Sequence, residues 1–228
     1  MATHLDLEEQ EQLDQLKAFW KQYGNLVTWA LIAVLAAFAA WNGWNWWQRD
    51  QSVKAGAMFD ELEAAAGTGD ADRAARVFAD MKSRFPHTAF TQQGGLLAAR
   101  TQFEKGQADA ALATLTWVSD NASEDEYRTV ARLRVAGLLL DAKKYDEALK
   151  QLDGATAKEF AALVADRRGD ILAAQGKKDE AKAAYQKAWS EMDPKVDYRR
   201  LVEAKLNVLG VDAAGAQAAP AASGAASK

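Results

Sequence analysis

Between Gln22 and Gln48 the chain carries no charged residue, and apolar side chains fill most of the interval. Its inner stretch, Leu26 to Trp41, is about 16 residues long with Thr28 as its single polar position, at the short end of the roughly 17–25 residues used to span a bilayer. Asn25, Thr28, Asn42 and Asn45 fall towards the ends, within reach of headgroups and water. As a helix the whole uncharged run would be about 40 Å long, against about 30 Å of hydrocarbon. Beyond it, from Val53 to Leu209, apolar residues return at spacings of three and four, interrupted by short polar turns. That periodicity predicts amphipathic helices throughout. The pattern divides the chain into an acidic N-terminus over 1–21, a transmembrane helix over 22–48, a helical domain over 49–210 and a tail over 211–228. The tail is rich in Ala, Gly and Ser and reads as disordered.

Tryptophan sharpens the anchor. Of eight in the chain, Trp20, Trp29, Trp41, Trp44, Trp46 and Trp47 lie in or beside the uncharged run. The indole ring favours the boundary between lipid and water. A buried helix of a soluble protein would need neighbours to cover tryptophans on every side, and nothing later in the chain supplies them. A cleaved leader should be short and basic, whereas this one carries Asp6, Glu8, Glu9, Glu11 and Asp14. Trp41, Trp44 and Trp47 recur at three-residue steps, with Gly43 as a notch between them. This stripe is a candidate contact for another transmembrane helix. Orientation stays open on charge alone: Lys17 and Lys21 precede the span, and Arg49 and Lys54 follow it.

The helical region repeats. Four units each show a helix, a tight polar turn and a second helix that opens on an acidic residue before an alanine. Ala74, Ala111, Ala148 and Ala181 are equivalent, at spacings of 37, 37 and 33. Four residues later stands a large apolar side chain: Phe78, Leu115, Leu152 and Tyr185. The arrangement resembles tetratricopeptide repeats, which recur at about 34 residues. The small residue lets paired helices approach, and the bulky one fills the gap to the next pair. Gly106 and Gly176 supply tight turns, and Pro86 and Pro194 close second helices. The early tryptophan of the repeat is absent. Ala99, Ala136 and Gly169 are the small residues of the later first helices, but Leu62 stands in the first unit, which reads as degenerate and continuous with the membrane helix. Val196 to Leu209 reads as a cap helix. The expected fold is therefore all-α: one transmembrane helix, then an α-solenoid of about four helix pairs and a C-terminal cap.

Composition narrows the chemistry. Net charge is −4 and no basic block stands out, so nucleic acid is not an expected partner. With no cysteine, disulfides, zinc–thiolate sites and thiol catalysis are excluded. His4 and His87 have no partners at metal or triad spacing. Gly67-Thr68-Gly69 lacks the lysine and preceding strand of a phosphate loop, and reads as a turn with Asp70 as the next N-cap. Ser123 and Glu126 read as a capping box for the following helix. No catalytic, cofactor or metal site is expected.

Two blocks carry a closer resemblance: Phe160 to Leu172, containing Ala165-Asp166-Arg167-Arg168-Gly169-Asp170, and Ala204 to Leu209, containing Lys205-Leu206-Asn207. With the acidic N-terminus, the anchor and the repeat count, they are similar to the YfgM family, ancillary subunits of the SecYEG translocon. The resemblance implies a non-enzymatic role, association with SecYEG and a PpiD-like periplasmic chaperone, and contact with exported client polypeptides. It also implies the inner membrane, with the N-terminus cytoplasmic and the repeat domain periplasmic. The alternative on the same repeats is a structural scaffold for envelope complexes. In tetratricopeptide domains the first helices line a groove. Here its candidate positions are Leu96, Arg100 and Phe103, then Val130, Leu133, Gly137 and Leu140, then Asp166 and Asp170. The competing reading packs the leucines between helices and leaves Asp166 and Arg167 as a surface pair.

Overall fold

The structure, a computed structural model, describes residues 7–211, with side chains from Glu11 onward. His4, Asp6 and the expected disordered tail beyond Val211 lie outside the described residues. Every element among those residues is helical. The chain divides into two units, Met1–Gln51 and Ser52–Lys228.

Helix α1 runs from Leu7 to Thr68, and most of the first unit belongs to it. Its best window has a mean hydropathy of 1.8, and only 6% of that window is buried. The helix is long and apolar enough to cross a membrane. Two of its polar residues bond back to the helix: Thr28 Oγ1 donates to the Gly24 carbonyl at 2.8 Å, and Asn42 Nδ2 to that of Phe38 at 2.9 Å. Such back-bonding removes the donors from the surroundings. The Trp44 and Trp47 rings stack obliquely at 5.2 Å, and the Gly43 notch is open.

The second unit begins in the last turns of α1 and continues through α2 (Ala71–Arg84), α3 (Ala89–Glu104), α4 (Ala108–Asn121), α5 (Asp125–Asp141) and α6 (Tyr145–Asp153). A 3₁₀ turn, Lys158–Phe160, leads into α7 (Ala161–Ala174), α8 (Lys178–Glu191) and α9 (Arg199–Val208). From α2 to α9 consecutive helices pack on one another, and α5 also touches both α3 and α7. These three helices therefore line one face. The four register alanines are fully buried, and Phe78, Leu115, Leu152 and Tyr185 beside them are almost so. The core follows the stack as three clusters, centred on Met81, Val135 and Val202.

The turns are equally regular. Gly69, Gly106, Lys143 and Gly176 each stand five residues before a register alanine, and all four have φ between 59° and 79°. The next backbone N–H then bonds back to the carbonyl five residues earlier, as in Lys144 to Leu139 at 2.8 Å and Lys177 to Leu172 at 2.9 Å. This is the Schellman closure, and its left-handed residue is normally glycine. Lys143 alone adopts it with a side chain. Gly210 repeats the turn after α9, with Val211 bonding to Leu206. The cap thus ends in the manner of a repeat's first helix.

Two helix starts test local expectations. Asp70 caps α2 as expected, its carboxylate accepting from the Arg73 N–H at 2.9 Å. The capping box at Ser123 does not form. The N-cap of α5 is Glu124, which makes no side-chain cap bond. Ser123 thus stands one residue too early to reach the first free N–H groups. Arg128 occupies the corner instead, bonding the Ala122 carbonyl and the Asp125 carboxylate.

Candidate partner-binding cleft

The face lined by α3, α5 and α7 carries a cleft of about 520 Å³. Small residues create it: Ala99 and Ala111 where helices meet, and Gly137 on α5. A Cβ at Gly137 would make only ordinary van der Waals contact with the Arg167 guanidinium, at 3.9 Å, so Arg167 lies directly beside this helix. The floor is apolar, from Leu115 and Leu133, and Phe103 stands 48% exposed beside it.

Charge collects at the rim. Arg100, Arg134 and Arg167 line the cleft, with Asp141 as the only carboxylate among the lining residues. Arg100 Nε lies 2.7 Å from Glu104 Oε1 on a side chain that is 69% exposed, and exposed pairs of this kind hold weakly. Arg134 Nη1 donates to the Leu96 carbonyl at 3.0 Å. Burial and the nearby Arg100 charge both lower the Arg134 pKa. The residue is nevertheless exposed and stays protonated at physiological pH.

Of the sequence-derived candidates, Arg100, Phe103, Leu133 and Gly137 meet in this cleft. Leu96 and Leu140 are partly buried and pack on the adjoining core cluster, as Leu133 also does. Val130 is half-buried outside the lining. Arg134 was not among the candidates, yet a signal for it exists. It stands nine residues before Lys143, and Arg167 stands nine before Gly176. The repeat thus places an arginine at the same point of α5 and α7.

Asp166 and Asp170 face elsewhere, into a polar cluster closed by α9. Asp166 is only 3% exposed, so it is not half of a surface pair with Arg167. Lys205 Nζ lies 2.8 and 2.9 Å from its two carboxylate oxygens, and Tyr198 donates to it at 2.8 Å. Asp170 accepts from Tyr185 at 2.8 Å and pairs with Lys205 at 2.7 Å. Arg167 sits 3.7 Å from Asp170. Burial works against the Lys205 charge, but its bonds to Asp166 and Asp170 outweigh it and raise the pKa. Burial and the bond to Asp170 hold the Tyr185 phenol protonated far above its usual range, and burial with the bond to Asp166 raises that of Tyr198. Leu96 and Leu133 hold the corresponding repeat position. The aspartate there is explained by the helix that covers it.

Among the described residues no group of His, Asp and Glu side chains is disposed to hold a metal ion. The chain's similarities are those of a repeat protein. Residues 17–211 match the tetratricopeptide repeat-like domain family. A relative from Neisseria gonorrhoeae (strain ATCC 700825 / FA 1090), described as an ancillary SecYEG translocon subunit, is 32% identical over 92% of this chain and 100% of its own length. Proteins of the same description from Escherichia coli (strain K12) and Haemophilus influenzae (strain ATCC 51907 / DSM 11121 / KW20 / Rd) are 27% and 26% identical. They align over 89% and 80% of this chain, and over 97% and 89% of their own lengths.

Proposed function

Because the chain belongs to the YfgM family of ancillary SecYEG translocon subunits, we propose that it serves the SecYEG channel as a non-enzymatic, membrane-anchored adaptor. The observation that carries this reading is the match along the whole length of the Neisseria relative, anchor region included. In this proposal residues 22–48 cross the inner membrane. The N-terminus is cytoplasmic, and the repeat domain over 49–210 stands in the periplasm, where newly exported chains emerge. The domain works with a PpiD-like chaperone and receives client or partner segments on the face lined by α3, α5 and α7. Arg100, Phe103 and Leu133 are the contacts that the cleft geometry favours. Leu96 and Leu140 support that face from their packed positions, Val130 stands half-buried beside it, and Asp166 and Asp170 hold the cap. Trp41, Gly43, Trp44 and Trp47 offer a contact stripe within the membrane.

Site-specific crosslinking in intact cells tests the reading. Probes on the α3–α5 face should recover SecYEG, the chaperone or a spread of client chains. One stoichiometric envelope partner and no client would point instead to the structural scaffold. Protease added to spheroplasts should digest the repeat domain, and protection would overturn the orientation.

A further inference from the structure

The cleft has a sign opposite to that of the chain. Net charge is −4 over the whole sequence, yet three arginines and one aspartate line this cavity. The guanidinia come from three different helices, α3, α5 and α7, so positive charge is spread along the cleft rather than gathered at one point. Among the described residues no carboxylate pairs with Arg134, whose bond goes to a neutral carbonyl. Arg167 has its nearest carboxylate at 3.7 Å, and that group is already bound by Lys205 and Tyr185. The floor between these charges is apolar, with the Phe103 ring half exposed. A volume of about 520 Å³ lies within the usual range of roughly 300–1,000 Å³ for binding sites.

We propose that this cleft selects an internal acidic segment of a partner polypeptide, in which two carboxylate side chains flank a large apolar one. The apolar side chain would lie against Phe103, Leu115 and Leu133. The flanking carboxylates would take the guanidinia of Arg134 and Arg167, each pair able to form two parallel hydrogen bonds. One chain-terminal carboxylate engages one such fork and leaves the remaining guanidinia uncompensated, so an internal segment with two acids fits better. Hydrophobic contact supplies contact area, and charge complementarity supplies selectivity and rate. The inference rests on the proposed use of this face for polypeptide segments, and adds the chemistry of the segment.

Fluorescence polarisation on the full-length protein in nanodiscs tests it. The probes are labelled twelve-residue peptides with a central Leu-Phe pair flanked by two Glu, two Gln or two Lys. The Glu peptide should bind at least about tenfold more tightly than the Gln peptide, and this margin should shrink with salt. Arg134→Gln and Arg167→Gln should each reduce the margin and together abolish it. Arg134→Lys, which keeps the charge but loses the two-donor fork, should retain only part of it. Phe103→Ala should weaken the Glu and Gln peptides alike, and unchanged melting of each variant would show that the fold persists. Equal binding of the Glu and Gln peptides overturns the charge selectivity while leaving the face as a polypeptide site. A margin that survives both arginine substitutions overturns the assignment to this cleft. Failure of all three peptides overturns the proposal together with the polypeptide-binding face, whereas association with the channel is read separately by crosslinking.

Discussion

Lys205 reaches back along 39 residues of chain to place its ammonium 2.8 Å from Asp166 Oδ1. The contact joins the two sequence blocks that resemble the YfgM family, one on α7 and one on α9. Asp166 is buried and the Lys205 side chain only 21% exposed, so the pair holds the cap in a partly dry environment. Removing the lysine leaves Asp166 buried with Tyr198 as its remaining donor, at a cost of about 3 kcal/mol. Lys205→Met should therefore lower the urea midpoint markedly. The double variant Asp166→Leu with Lys205→Met should recover part of the loss, because leucine holds the equivalent position in the two preceding repeats, while Asp170 still lacks its lysine partner. A single-variant loss below about 1 kcal/mol would show that the pair does not hold the cap.

The same cluster sets a pH limit. Lys205, Tyr185 and Tyr198 all have raised folded-state pKa values. The folded protein therefore keeps protons that the unfolded chain loses near pH 10. Their contribution is complete below that pH and declines above it, by up to about 1.4 kcal/mol per pH unit for each group. Thermal melting should be flat across this cluster's range up to about pH 9.5 and fall steeply beyond it. Tyr185→Phe should make the alkaline fall shallower, and an unchanged slope would remove Tyr185 from this account.

Lys143 stands in a left-handed turn that the three other units fill with glycine. A side chain there costs about 1–2 kcal/mol, part of which glycine returns through greater freedom in the unfolded chain. Lys143→Gly should stabilise the domain by about 0.5–1 kcal/mol, and Gly106→Ala should destabilise it by about 1 kcal/mol. Denaturation curves of the two variants should move in opposite directions.

Gly169 is the small residue of α7, and a Cβ there would come within 2.5 Å of the Tyr185 ring. The ring is nearly buried and tied to Asp170, so it has little freedom to yield. Gly169→Ala should cost about 1–3 kcal/mol through overpacking. Tyr185→Leu in the same chain should relieve part of that cost, which a double-mutant cycle would measure.

Trp41, Trp44 and Trp47 are exposed on α1. Replacing all three by leucine preserves the apolar character that membrane insertion needs, but removes the shape beside Gly43. Carbonate extraction should leave the variant in the membrane fraction, while its co-purification with the channel should fall. Unchanged co-purification would leave these rings as an interfacial belt only.

What could be read from the residues alone was whatever repeats or is local. The register alanines and the bulky residues after them are buried in all four units, because 3.6-residue periodicity and a recurring length together specify which face meets a neighbour. The Asp70 cap was legible for the same reason: its partner is three residues away. The Ser123 box failed by one residue, since helix starts depend on packing that local sequence does not encode. Lys143 was hidden because a left-handed lysine has no composition signature until the turns are superposed.

The sequence by itself determined an apolar anchor, an all-helical repeat and the absence of cysteine chemistry. Only the tertiary structure decided which polar residues face the cleft and which face the cap. Asp166 occupies a leucine position in the repeat, and nothing within α7 tells whether it is exposed or paired. That depends on Lys205 and Tyr198, which stacking of α9 brings within hydrogen-bond range from more than thirty residues away. The gathering of Arg100, Arg134 and Arg167 around one cavity likewise arises from the angle at which three helices stack, which no single helix carries.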